Sequence, residues 1–133
     1  MHIFSGMDVM RSVYLLPRDA RATILSADTS SWEYAHTVSV GDANGDGADD
    51  LLIGVPLDNT GGDEAGALYL AFGPFDGGMT LTETATHISG SEGARLGSAT
   101  HLADLDGDGV GEVIVSSPNT AEVFGFFIDT LVE

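Results

Sequence analysis

Asp42, Asn44, Asp46, Ala48 and Asp50 occupy alternate positions in the stretch GDANGDGADDLLIGVP, which runs from Gly41 to Pro56. Four of them carry oxygen-bearing side chains, and Ala48 can add its backbone carbonyl. Oxygens gathered this closely repel one another unless a cation sits among them. Gly47 at the sixth position permits the sharp turn that would bring them together. The same arrangement returns 62 positions later as DLDGDGVGEVIVSSP, where Asp104, Asp106, Asp108, the carbonyl of Val110 and Glu112 stand in the same phase. A set made only of hard oxygens suits calcium, which takes about six to eight oxygens at ~2.3–2.6 Å. Magnesium prefers to keep its waters, and zinc would call for histidine or cysteine. The expectation is therefore two Ca2+ sites, built from the first and second sets of residues respectively.

Two rival readings of these loops need answering. An EF-hand begins in the same way, but it requires a bidentate glutamate at position 12. Here that position holds Ile53 in one loop and Val115 in the other, and the flanks read as strands. A solvated acidic turn is the other rival, because Asp, Asn and Gly are common turn formers. The recurrence of nine positions in one register argues against chance. Asp49 is out of the ligand phase and is read as solvated.

The echo extends beyond the loops. YAHTVSVGD pairs with LGSATHLAD, and ATILSA (Ala22 to Ala27) with ATHISG (Ala85 to Gly90) after one residue of slippage. Self-similarity at a fixed period means repeated units that cannot bury their apolar faces alone. Each unit reads as short strands separated by Gly, Asp, Asn and Thr clusters. HTVSVG, DLLIGV, GALYLAFG and ATHIS make up the first copy. SATHLA, EVIVSS and AEVFGFFI make up the second, and HIF and ATILS are the last two strands of an earlier unit. That predicts nine strands and an all-β chain. The one helix candidate is Asp8 to Leu16, with an irregular loop as its alternative.

Composition narrows the class. The chain has 133 residues, 43% of them hydrophobic, 18 glycines, four prolines and no cysteine. One domain with a real core fits these figures. Twenty-one acidic residues against four arginines give a formal charge of −17. Such a surface repels nucleic acid and anionic membranes and concentrates cations. There is no basic start followed by an apolar run, and no stretch of membrane-spanning length, so any secretion address is expected to lie outside these residues.

The pattern YAHTVSVGDANGDGADDLLIGVP…GALYLAFG resembles the FG-GAP repeat of integrin α-subunits and related bacterial secreted proteins. Tyr34-Ala35 and Leu96-Gly97 stand where the family has Phe-Gly. Gly54-Val55-Pro56 and Ser116-Ser117-Pro118 stand where it has Gly-Ala-Pro. The resemblance implies a seven-bladed β-propeller of four-stranded antiparallel blades, with calcium loops on one face and ligand recognition on the other. At 62 residues per blade the chain holds a partial propeller of about two blades. The units are divided as tail strands and linker (1–27), a first repeat (28–90) and an incomplete second repeat (91–133). Further blades are expected in a parent protein, with ring closure by several copies as the weaker alternative. HIF and VFGFFI would be raw edges, leaving Phe124, Phe126, Phe127 and Ile128 without cover.

The implied role is a calcium-binding adhesion or recognition module outside the cell or at its surface, with a protein or glycan as partner. LDNTGGDEAG (Leu57 to Gly66) is a loop that could display it. The alternatives are a propeller portion of a secreted hydrolase, such as a carbohydrate-active enzyme with two carboxylates as acid and base, or a spacer. Against the hydrolase, the clustered acids are already committed as ligands, and leftovers such as Asp28, Asp63 and Glu64 are scattered in turns. His2, His36, His87 and His101 share no ligand spacing. Trp32 and Tyr34 read as packing between blades, and Arg11, Arg18 and Arg21 as offsets to nearby acids. No catalytic residue is expected.

Overall fold

The computed structural model describes residues 2–3, 20–25, 36–80 and 86–128. The helix candidate at 8–16, the Tyr34-Ala35 pair, and Arg11, Arg18, Asp28 and Trp32 lie outside them. Among the described residues there are ten strands: β1 (His2–Ile3), β2 (Ala22–Leu25), β3 (Thr37–Gly41), β4 (Asp50–Val55), β5 (Ala67–Ala71), β6 (Gly77–Thr80), β7 (Thr86–Ser89), β8 (Ala99–Ala103), β9 (Glu112–Ser117) and β10 (Glu122–Phe126). One 3₁₀ turn, Pro118–Thr120, joins the last two. The architecture is all-β, a partial propeller.

The first repeat forms one four-stranded antiparallel sheet in the order β3-β4-β5-β7. The second forms the antiparallel sheet β8-β9-β10. β1 and β2 pair antiparallel, as β5 and β7 do.

DLLIGV is buried at every position of β4, and its alternation explains why. Leu51, Ile53 and Val55 point to one face, where they meet Ala67 and Tyr69 of β5, Ile24 of β2, Ile3 and Phe75. Leu52 points to the other face and joins Leu68, Leu70, Leu96, Leu102, Val113, Val115 and Ile128. An antiparallel strand covered on both faces needs apolar residues in both phases, so the run is continuous rather than alternating. The two clusters lie between successive sheets, which is where propeller blades pack.

The approach between the first and second repeats is close enough to exclude side chains. A Cβ at Gly54 would lie 2.2 Å from the Gly97 carbonyl oxygen, and Gly97 itself sits at φ +90°. The Thr37 hydroxyl, bonded to the Gly97 oxygen at 3.1 Å, occupies the adjoining space.

Two expectations need correction. Ile128 does not lack cover: it is 3% exposed and part of the inter-sheet core, and Phe126 packs against that core. Phe124 and Phe127 are exposed as expected. The second concerns the stretch between GALYLAFG and ATHIS, where the sequence reading places no strand and β6 forms. This strand leaves the first repeat and pairs in parallel with β2, from Ala22↔Gly77 to Leu25↔Thr80.

Candidate metal centre

The first acidic loop joins β3 to β4, and the second joins β8 to β9. Each hairpin brackets its loop with a backbone pair, Gly41↔Asp50 in one and Ala103↔Glu112 in the other. Position 1 thus directly follows the incoming strand, and position 9 opens the outgoing one.

Backbone N–H groups hold the side chains in place through five corresponding contacts in the two loops, and the first loop adds Asp46 N–H to Asp42 Oδ1 at 3.2 Å. Asp42 Oδ1 accepts from Gly45 N–H at 2.7 Å and Oδ2 from Gly47 N–H at 2.8 Å. Asp104 accepts from Gly107 at 2.6 Å and from Gly109 at 3.0 Å. Asn44 Oδ1 accepts from Asp46 N–H, as Asp106 does from Asp108. Asp46 accepts from Ala48, as Asp108 does from Val110. Position 9 accepts the N–H of position 2 in both: Ala43 to Asp50 at 2.9 Å, Leu105 to Glu112 at 2.6 Å. The longer glutamate reaches the same donor as the aspartate. Gly47 at φ +83° and Gly109 at φ +92° make the turn, a conformation that costs most other residues free energy.

These N–H groups also set charge. Gly47 N–H is the main force holding the Asp42 carboxyl below the usual carboxylate range. It outweighs the upward push of partial desolvation and is helped by the N–H groups of Gly45, Asp46 and Asn44. The carboxylate is therefore kept ionised with its oxygens oriented.

The carboxylate oxygens of Asp104, Asp106 and Asp108 lie within 4.8 Å of one another, all three residues exposed. At ~4 Å, like charges repel by about 1 kcal/mol in water and about 4 kcal/mol at a protein surface. Such a group can hold a metal ion, and the donors are all oxygen. In the first loop Asn44 replaces one carboxylate and donates its amide to Asp46 Oδ2 at 3.1 Å. Asp50, 0% exposed, and Glu112, 5% exposed, lie beneath the loops. Asp50 Oδ1 also accepts from Gly73 N–H at 2.8 Å. Each Asp50 oxygen still has a second lone pair. Asp49 is exposed, as its phase suggested.

At the other end of β4, in the 57–66 loop, the Tyr69 hydroxyl donates to Asp58 Oδ2 at 2.7 Å and Thr60 N–H to Oδ1 at 2.7 Å. Burial pushes the Asp58 carboxyl up, but Thr60, Tyr69 and the nearby His87 together bring it below the usual range. His87 stacks on Tyr69 with ring centres 5.7 Å apart. Glu64 is paired with Arg95 at 2.6 Å, and the Asp63 carbonyl accepts from Gly93 N–H. The loop is thereby tied to the start of the second repeat. The sequence held no signal for the Gly73, Tyr69 or Arg95 contacts, since each partner is remote in the chain.

Stacked antiparallel sheets with inter-sheet cores and a recurring acidic hairpin loop define a β-propeller repeat protein. Residues 34–70 match the FG-GAP repeat family. Human integrin alpha-IIb is 39% identical over 95 residues, covering 64% of this chain and 9% of its own length. Chicken (Gallus gallus) integrin alpha-8 is 35% identical over 96 residues, 67% of this chain and 9% of its own. Rat phosphatidylinositol-glycan-specific phospholipase D is 30% identical over 96 residues, 71% of this chain and 11% of its own. The chain belongs to the FG-GAP repeat family, and it spans about a tenth of the length of these curated relatives.

Proposed function

We propose that this chain is a calcium-stabilised FG-GAP module, part of a larger extracellular or cell-surface β-propeller used for adhesion or for binding a protein or glycan. The observation that carries it is the duplicated loop, in which the same N–H donors orient the same oxygens 62 residues apart. Asp42, Asn44, Asp46, the Ala48 carbonyl and Asp50 would hold one ion. Asp104, Asp106, Asp108, the Val110 carbonyl and Glu112 would hold the other. The ion's role in this reading is to neutralise the loop and so fix the register of two strands. Residues 1–27, 28–90 and 91–133 would be its tail, first repeat and second repeat. The 57–66 loop, at the other end of β4, would face the partner. Similarity to the integrins supports the binding role, and the chain itself would carry no catalysis. No helix among the described residues is long and apolar enough to cross a membrane.

A second reading is favoured by the similarity to a protein named as a phospholipase D: the module could be the propeller portion of a secreted hydrolase and lend it a carboxylate as acid or base. Thermal melting with excess chelator, then with calcium restored, tests the first reading. At a free calcium concentration of one hundred times Kd, one site adds ~2.7 kcal/mol. A melting curve indifferent to both additions would remove the calcium sites. Mutation of Asp46 or Asp108 separates the two readings, because a structural ligand costs stability whereas a catalytic acid costs turnover with the fold intact.

A further inference from the structure

We propose that the two loops take up calcium cooperatively, coupled through the hydrogen bond from Gly111 N–H to the carbonyl oxygen of Asp42. This rests on the calcium reading above and adds to it how one site governs the other.

The bond is 2.7 Å long and joins one loop directly to the other. Its acceptor is the backbone of the first residue in the first ligand set. Its donor belongs to the peptide unit between Val110 and Gly111 in the second loop. That same planar unit carries the Val110 carbonyl, the backbone ligand expected at position 7. In a trans peptide the C=O and N–H point in opposite directions. A Val110 carbonyl committed to a cation therefore sends the Gly111 N–H the other way, and the structure finds Asp42 as its acceptor. A cation on the carbonyl also polarises the unit and makes its N–H a stronger donor, as in chained hydrogen bonds.

Three further observations keep the loops in register. Leu102 N–H donates to Ser39 Oγ at 2.8 Å, and the Thr100 hydroxyl to the Thr37 hydroxyl at 3.0 Å, joining β8 to β3 along the strands that lead into the loops. Gly111 is buried, and a Cβ there would lie 3.1 Å from the Asp42 oxygen. A Cβ on Gly45 would lie 3.1 Å from a Val110 methyl. Two glycines thus let the loops touch.

Repulsion between two bound cations opposes the coupling. However, the first set holds three carboxylates and the second four, so each loop stays negative after accepting a divalent ion. Solvent and salt also screen the ions from one another. The backbone connection is not screened, so the net coupling is positive.

The test is calorimetric calcium titration of the 133-residue chain, with far-UV circular dichroism to check the fold. Asp106→Asn/Asp108→Asn disables the second loop and leaves the first intact. The first loop should then bind about fivefold more weakly or worse, the low end of ordinary coupling between sites. Gly111→Pro removes the donor, and Gly111→Ala forces the Asp42 carbonyl back. Each should leave two ions bound but independent, and if the proline variant unfolds, the alanine variant decides. A first-loop affinity unchanged in Asp106→Asn/Asp108→Asn overturns the coupling while the metal sites stand. Full coupling in a folded Gly111 variant overturns the route. No calcium uptake by the wild type overturns the metal reading itself, and the coupling with it.

Discussion

Replacing Asp50 by alanine separates its two contributions, one as a buried acceptor and one as an expected metal ligand. Its side chain is 0% exposed. One oxygen accepts from Ala43 N–H at 2.9 Å and the other from Gly73 N–H at 2.8 Å. Asp50→Ala leaves both donors without a partner beneath the loop. An unsatisfied buried donor costs about 1–3 kcal/mol, so the buried Ala43 N–H alone sets a loss of about 1–3 kcal/mol even without calcium, and the half-buried Gly73 N–H adds a smaller part. In calcium at one hundred times Kd the wild type gains a further ~2.7 kcal/mol that the variant forgoes. Urea unfolding in excess chelator measures the first quantity, and its increment on adding calcium the second. Hydrogen exchange at Ala43 and Gly73 should speed up in the variant. The reasoning is refuted if Asp50→Ala in chelator unfolds within ~0.5 kcal/mol of the wild type with both amides still protected, because those bonds would then contribute nothing.

Three other outcomes follow from the geometry. Leu52→Ala, at a position 1% exposed between two sheets, should cost ~2–5 kcal/mol in urea unfolding. Gly54→Ala places a methyl against the Gly97 backbone at 2.2 Å, and circular dichroism should show a chain unable to pack its two repeats. Asp58, held below the usual carboxylate range, contributes stability that is complete above its unfolded-state value and is lost as pH falls through its folded value. Tyr69→Phe removes one of the bonds that lower it, so the Asp58 titration followed by NMR should move upward and the acid loss of stability should begin at higher pH.

How much was legible in the sequence depended on how local the cause was. The nine strands named from the sequence are all present, because each is bounded by turn residues and carries its own apolar pattern. The loops were legible because their donors and acceptors lie within nine residues of one another. β6 escaped notice because Gly77-Gly78 has the chemistry of a turn, and its pairing with β2 depends on a strand far away in the chain. Ile128 looked uncovered for a related reason. Its cover comes from Leu102 and Val113 with other residues of the inter-sheet core, and no local pattern encodes that. Asp50 and Glu112 were read as ligands alone. Their burial and their bonds to position 2 emerge only when the hairpin closes.

The strand that leaves the first repeat to lie along β2 changes how the array should come apart. In a simple stack each unit could peel away leaving its neighbour whole. Here a stitch of four residues crosses that seam, so fraying the 72–80 segment would bare the outer side of the adjoining sheet as well. Shortening that segment by a few residues should therefore loosen a unit it does not belong to. On the ribosome, β2 must wait for Gly77–Thr80 to emerge before that flank is shielded from pairing with a stranger.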